Sequence, residues 1–150
     1  MNIGRVLALA ALLIPMGAIA SRMGDNAPIG SELETRGGGK LLSLDFQSSG
    51  DVAAFTMRVS LPVDAKRIDT SRCLADLPES WTGVCQSEKN FVAVTAYSTK
   101  AEAYPAGLLR IGKLQYQSQA KASAVIDYVE ASKADGESAS LGAAKVEKLD

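Results

Sequence analysis

The segment VAAFTMRVSL, residues 52–61, constrains the fold more than any other part of the chain. Its larger apolar side chains, including Phe55, Met57 and Val59, fall on alternate residues, and smaller or polar side chains lie between them. A period of two places the two sets on opposite faces of a β-strand. Pro62 then closes the segment, as proline does at the end of a strand. The pattern predicts a strand that is buried on one face and therefore belongs to a layered β structure.

Other segments have strand character too: 40–46, 90–98, 107–117 and 123–132, with a weaker last strand through Leu141 and Val146. In 107–117 the apolar parity changes at Gly112, which predicts a β-bulge there. Residues 124–130 could pass for a helix by composition, but their Val, Ile and Tyr and the turn-rich flanks favour a strand. Short strands separated by turns, with no long helical period, predict an all-β fold, an antiparallel two-sheet sandwich.

Two facing sheets should enclose a core built from the apolar residues of these strands. The predicted core consists of Phe46, Phe55, Met57, Val59, Val92, Val94, Ile111, Leu114 and Ile126.

The only two cysteines, Cys73 and Cys85, enclose eleven residues, which include the only tryptophan, Trp81. An even cysteine count in an exported chain favours a disulfide, whereas a redox or metal pair would need a CxxC spacing or further ligands. Closing a loop of this size stabilises the folded state by about 3 kcal/mol in the chain-entropy treatment. We therefore predict one structural disulfide holding a surface loop outside the core.

Export is predicted from residues 1–20, where Arg5 precedes an apolar run that ends in Ala18-Ile19-Ala20. This is the organisation of a secretory signal peptide, with cleavage after Ala20. The apolar run is short for a bilayer span, which needs about 20 residues, although an uncleaved N-terminal anchor is the alternative. No cysteine lies near the predicted cleavage point, so a lipid anchor is not expected. The mature protein is expected to be periplasmic or secreted, without a membrane span.

The mature chain should be weakly acidic. Of 16 lysines and arginines, cleavage removes Arg5 and leaves 15, against 17 acidic residues. A net charge near −2 gives no reason to expect nucleic acid or an anionic membrane as a partner. The chain also contains no histidine, which excludes Ser-His-Asp and Cys-His catalysis and histidine metal sites.

Residues 21–39 are rich in Gly, Pro, Ser and charged residues and end in RGGG. This composition predicts a flexible leader, followed by a single domain over residues 40–150. The run GGGK does not match a phosphate-binding loop, because that motif needs Ser or Thr after the lysine and Leu41 stands there.

The order of strand motifs resembles the cohesin-like β sandwich of the bacterial carbohydrate-binding superfamily. Residues 54–62 resemble its "gfxfxlxyp" strand, 91–98 its "vxvxaxs" strand, 107–116 its "GxLxxixF" strand and 129–136 its "vxxSxxxG" segment. The resemblance covers most of residues 40–140, and the cysteine-bearing segment is an addition to the family pattern. It implies a cohesin-like jelly roll and a non-catalytic module that binds a polysaccharide or another exported protein.

Exposed aromatic rings would be the expected means of binding, because rings stack on sugars and anchor protein partners. The candidate ligand-binding residues are Trp81 in the disulfide loop, Tyr97 and Tyr104, with Tyr116 and Tyr128 as further strand tyrosines. The alternative for each ring is a place in the core or at its edge. For Trp81 in particular, that alternative is a ring that caps one end of the sandwich.

Two other classes of function stay open. One is a structural or inhibitor-type envelope protein with no small ligand. The other is a carboxylate-based glycoside hydrolase, for which Asp45, Asp51, Asp76, Glu79 and Glu102 supply acids without a spacing that pairs any two of them. No catalytic residue, cofactor or metal is predicted. Calcium would have only Asp135 and Glu137 in the turn KADGES, which lacks the alternating ligands of an EF-hand loop.

Overall fold

The computed structural model describes residues 25–149, so the predicted signal peptide and its cleavage point lie outside the described residues. Nine strands account for almost all of the regular structure in this range, together with one 3₁₀ turn at Arg36–Gly38. The strands are β1 Ala27–Glu34, β2 Gly39–Ser48, β3 Val52–Ser60, β4 Lys66–Asp69, β5 Trp81–Glu88, β6 Phe91–Ser98, β7 Gly107–Gln117, β8 Val125–Lys133 and β9 Lys145–Leu149. In this range, no helix is long and apolar enough to cross a membrane.

The strands form two facing sheets, which confirms the predicted sandwich. One sheet has five strands in the order β4-β7-β2-β1-β9, and the other has four in the order β5-β6-β3-β8. Neighbouring strands run antiparallel except β1 and β9, which run parallel. All nine residues predicted for the core are buried between the sheets. Leu42, Leu44 and Leu109 complete the core from the five-stranded side.

The predicted bulge in β7 is also confirmed. Its register against β2 changes between Leu44 and Asp45, so that Ile111 and Gly112 together occupy a place that one residue would fill. Both are buried. A side chain at Gly112 would meet the carbonyl oxygen of Cys73 at 2.2 Å, because the cysteine-bearing segment crosses the strand there. Glycine is needed at this position for close approach of two backbones.

The predicted flexible leader is wrong for residues 27–34, which form β1 between β2 and β9. Its inward positions carry Pro28, Gly30 and Glu32 rather than large apolar residues. Such residues are typical of turns and obscure the period-two signal. Buried Asn26 fixes the start of the strand: its side-chain amide donates to Asp51 and to the Ser140 carbonyl, and its oxygen accepts from the Ser49 backbone amide.

The disulfide between Cys73 and Cys85 is present, but its predicted place outside the core is wrong. Cys73 is fully buried and Cys85 partly buried. The segment around Cys73 continues the path of β4 along β7, since the Lys113 amide donates to the Arg72 carbonyl and the Asp76 amide to the Ile111 carbonyl. Cys85 lies on β5, the edge strand of the other sheet. The bridge therefore joins the two sheets along one open side of the sandwich.

Candidate functional site

The outer surface of the four-stranded sheet presents the clearest candidate binding surface, which we call the β5-β6-β3-β8 face. The registers align outward residues in rows, such as Val84, Thr95, Thr56 and Glu130 across all four strands. Small side chains such as Ala54, Thr56 and Thr95 occupy much of the two central strands, which also carry the larger Arg58 and Tyr97. The result is a broad, shallow surface.

Four large apolar side chains are exposed on this face. Val84 is 61% exposed, Val125 55%, Tyr97 46% and Tyr128 43%. A shallow depression of about 500 Å³ lies beside Tyr97 on the same face, lined in part by Thr56, Thr95 and Glu130. Exposed apolar residues scattered singly over a surface need no explanation, but the occurrence of four on one sheet face makes this face a candidate for binding.

A charged group occupies one end of the β5-β6-β3-β8 face. The Arg58 guanidinium donates to both carboxylate oxygens of Asp127, at 2.9 and 3.2 Å, and the Ser60 hydroxyl donates to the same carboxylate. The hydrogen bond from Arg58 is the main cause that lowers the pKa of Asp127. Arg58 also lies 5.9 Å from the centre of the Phe91 ring. These contacts hold a fixed pattern of charge beside the apolar residues.

The three predicted ligand-binding aromatics do not form one site. Tyr97 lies on the β5-β6-β3-β8 face, and its role in binding remains a prediction. Trp81 is only 6% exposed and belongs to the core, so the expectation of a ring presented by the disulfide loop is wrong. It pairs with Ser98 on β6, one residue along from Tyr97 and therefore on the opposite side of the sheet.

Trp81 and Tyr104 instead belong to an aromatic cluster at one end of the core. Phe46 stacks on Phe55 with ring centres 4.6 Å apart, and Phe55 lies 6.2 Å from Trp81. The ring of Tyr104 meets Trp81 edge-on at 6.1 Å, and its hydroxyl donates to the Leu108 carbonyl at 3.3 Å. Trp81 thus caps the sandwich end, as the alternative interpretation proposed.

The other strand tyrosines divide in the same way. Tyr128 lies on the β5-β6-β3-β8 face, and its hydrogen bond with Glu130 is the main cause that raises its pKa. Tyr116 is buried between the sheets and donates to Glu32 Oε2 at 2.6 Å. Two exposed residues of the face, Val84 and Val125, were not among the predicted site residues. The sequence gives little indication of them. In β5, for example, the outward Val84 is more apolar than the inward Gly83, whereas the usual strand has its apolar residues inward.

Of the acids considered for glycoside hydrolysis, Asp45 lies on the outer surface of the five-stranded sheet, where partial burial is the main cause that raises its pKa, and Arg110 opposes the shift. Asp76 lies near enough to Asp45 for its charge to help raise the pKa of Asp45. Asp51 is hydrogen-bonded to Asn26 and Ser49, which lowers its pKa. Among the described residues, no group of three or more His, Cys, Asp or Glu could hold a metal ion.

Comparison with solved structures shows the same architecture in cohesin modules. A non-cellulosomal cohesin from the hyperthermophilic archaeon Archaeoglobus fulgidus is similar with a TM-score of 0.60 and 13% identity, over 84% of this chain and 92% of that one. A cohesin module from the Clostridium perfringens family 33 glycoside hydrolase gives 0.55 and 10%, over 83% and 98%.

The sixth cohesin of scaffoldin B from Acetivibrio cellulolyticus, solved in complex with a Cel5 dockerin mutant, gives a TM-score of 0.56 and 7% identity, over 83% of this chain and 98% of that one. No family model matches the chain, and no curated protein matches it in sequence. At these identities the likeness concerns the fold. The protein has a cohesin-like fold.

Proposed function

We propose that this protein is a non-catalytic module that binds another protein through its β5-β6-β3-β8 face. The observation that carries the proposal is the group of exposed apolar residues, Val84, Tyr97, Val125 and Tyr128, on one flat sheet surface. Protein interfaces have such a composition, with aromatic residues enriched and charges kept to the margin. Burying these side chains against a partner would remove apolar surface from water.

The structural neighbours support this proposal. The Acetivibrio scaffoldin cohesin was solved with a bound dockerin, and a further type II cohesin from the same organism was solved as a cohesin-X-dockerin complex. Both are proteins of the same fold bound to a protein. A glycan ligand for this face is the second candidate, favoured by Tyr97 and Tyr128, whose rings could stack on sugars.

The proposal is tested by placing a benzophenone amino acid at Thr56, in the centre of the face, and at Ser43 on the outer surface of the other sheet. After irradiation in the producing cells, we expect Thr56 to crosslink to one protein and Ser43 not to. Adding Val84→Lys and Tyr97→Ala should abolish the crosslink, whereas Leu108→Ala on the other sheet should preserve it. Crosslinking that is equal at both positions, or that survives the face variants, would refute a partner on this face.

We also propose that the module is exported and begins at Ser21 after cleavage. The disulfide supports an oxidising compartment. The intact mass of protein recovered outside the cytoplasm should correspond to residues 21–150. A mass that includes residues 1–20 would instead support the uncleaved anchor.

A further inference from the structure

The β4 margin of the five-stranded sheet carries a cluster of basic residues on the side of the molecule away from the β5-β6-β3-β8 face. Two adjoining depressions lie there, of about 320 and 110 Å³. Arg36 and Arg67 line the larger depression, and Arg72 and Lys113 line the smaller one. We call these four residues the basic cluster. All four are exposed.

The basic cluster is not neutralised by the rest of the fold. The ion pairs within residues 25–149 are Lys40 with Glu34 and Arg58 with Asp127, so none involves the cluster. Asp69 is the one acidic residue that lines both depressions. The weakly acidic net charge of the chain therefore hides a local excess of positive charge.

The backbone holds the cluster in place. The segment that carries Arg72 is bonded to β7 through the Lys113 amide and the Arg72 carbonyl at 2.9 Å. The adjacent Cys73 is tied to β5 by the disulfide. Arg67 has a φ of 53° within β4, where the register against β7 is irregular. Few residues other than Gly, Asn and Asp adopt this conformation, and here it belongs to a residue that lines the larger depression.

Between the cations, the two depressions share three residues of a different character: Asp69, Gln115 and Leu41. A ligand that carries negative charge along its whole length would be repelled by the carboxylate of Asp69. A sugar hydroxyl would donate to that carboxylate, and the Gln115 amide can both donate and accept. The site thus has cations on both sides of groups that can bind hydroxyls. This arrangement fits a polymer of hydroxyl-bearing units that carries anionic groups at intervals.

We propose that the β4 margin is a binding site for an acidic polysaccharide, with Arg36 and Arg67 taking one anionic group and Arg72 and Lys113 the next. Guanidinium groups bind carboxylate and sulfate oxygens through paired hydrogen bonds, so either anion satisfies the site. The site is separate from the β5-β6-β3-β8 face, so the module could hold a glycan on one sheet and a protein on the other.

The test uses the mature protein and four polymers: polygalacturonate, dextran sulfate, neutral dextran and polyglutamate, titrated by calorimetry. Polygalacturonate or dextran sulfate should bind, and the preferred one identifies the anion. Arg67→Gln with Arg72→Gln should weaken that binding by about tenfold or more, the loss expected from two charge-assisted contacts. The matched control is Lys89→Gln with Lys100→Gln, which removes the same amount of positive charge. Lys89, like Arg67, has a positive φ, so the control also matches that feature of the backbone. It should change binding by about twofold or less.

Asp69→Ala, which removes the oxygen acceptors, separates recognition of hydroxyls from simple attraction of charge. If Asp69 accepts from sugar hydroxyls, the variant weakens polysaccharide binding and tightens polyglutamate binding. Binding of neither acidic polysaccharide, an equal loss in the Lys89 and Lys100 control, or tighter binding of every anion to Asp69→Ala would overturn the proposal. If polyglutamate binds as tightly as the acidic polysaccharides and depends on the same arginines, the ligand of the basic cluster is an acidic peptide instead.

Discussion

At the scale of single residues, Glu32 and Tyr116 form a buried polar contact between strands. Glu32 is 1% exposed, and its Oε2 accepts from the Tyr116 hydroxyl at 2.6 Å and from the Ala124 amide at 3.0 Å. Its Oε1 has no partner among the described residues. Because a buried polar group without a hydrogen-bond partner is destabilising, losing either of the two hydrogen bonds to Glu32 should cost stability. The pair links β1 to β7 and to the start of β8.

Tyr116→Phe should lower the free energy of unfolding by about 1–3 kcal/mol, since the Glu32 carboxylate loses a donor. Burial, followed by Glu32, raises the pKa of Tyr116 well above its usual value of 10.0. Its contribution to stability is therefore complete below pH 10 and declines as the pH rises above it. Urea unfolding at pH 8 and pH 11 measures how much free energy of unfolding is lost between the two pH values. This loss should be smaller in Tyr116→Phe than in the wild type. Tyr97→Phe, which removes an exposed hydroxyl from the outer surface of the four-stranded sheet, is the control and should keep the wild-type loss of stability between pH 8 and pH 11.

Trp81→Ala should cost about 3–5 kcal/mol of stability, because it empties a large buried site against Phe55 and Tyr104. Tyr97→Ala removes an exposed ring from the other side of the same sheet and should cost about 1 kcal/mol or less. Chemical denaturation of both variants measures the difference. Equal and small losses would contradict the assignment of Trp81 to the core.

At the scale of elements, the strands that could be predicted are those whose inward residues are large and apolar. In β3, inward Phe55, Met57 and Val59 stand against smaller or polar outward residues, so the period of two is visible. In β1 and β5 it is hidden, because inward positions carry Gly30 and Glu32, or Gly83 and Cys85. These strands are specified by their neighbours in the sheet, which a local pattern does not contain.

The same reason limits prediction of the candidate site. Tyr97 and Tyr128 could be proposed from residue type, but their common face follows only from the register of β3 with β6 and β8. The basic cluster joins residues from three separate parts of the chain. By contrast, the disulfide followed from the cysteine count together with the predicted export. Its position between the sheets depends on β4 and β5, neither of which was predicted.

Replacing both Cys73 and Cys85 by alanine should lower the free energy of unfolding by about 3 kcal/mol, from the lost restriction of the unfolded chain. The bridge joins the open edges of two sheets, so amide exchange should rise most in β5 and in residues 70–77. Exchange in β2 and β3, inside their sheets, should change least. A uniform rise across all strands would show that the bridge stabilises the whole domain and does not hold one side closed.

At the scale of the whole molecule, the two sheets share one core but present different outer surfaces. The four-stranded sheet exposes apolar and aromatic side chains, and the β4 margin of the other exposes the basic cluster, which takes part in neither ion pair of residues 25–149. The connections between strands are held by aspartates. Asp64 accepts from the Ser118 hydroxyl and the Gln119 amide, and Asp51 accepts from Asn26 and Ser49. Stability of the domain should therefore depend on the ionisation of these carboxylates.

Acid should destabilise the fold through these aspartates. Hydrogen bonds, first from Ser118 for Asp64 and from Asn26 for Asp51, lower both pKa values below the usual 3.8. A carboxyl group whose pKa is lower in the folded state contributes stability above its unfolded pKa and loses it as the pH falls through the folded value. Asp45, whose pKa is raised, opposes this trend. Urea midpoints should be similar at pH 7 and pH 5 and lower at pH 3. Asp64→Asn, which keeps an oxygen acceptor without the charge, should reduce the difference between pH 5 and pH 3, and an unchanged difference in that variant would remove Asp64 from the explanation.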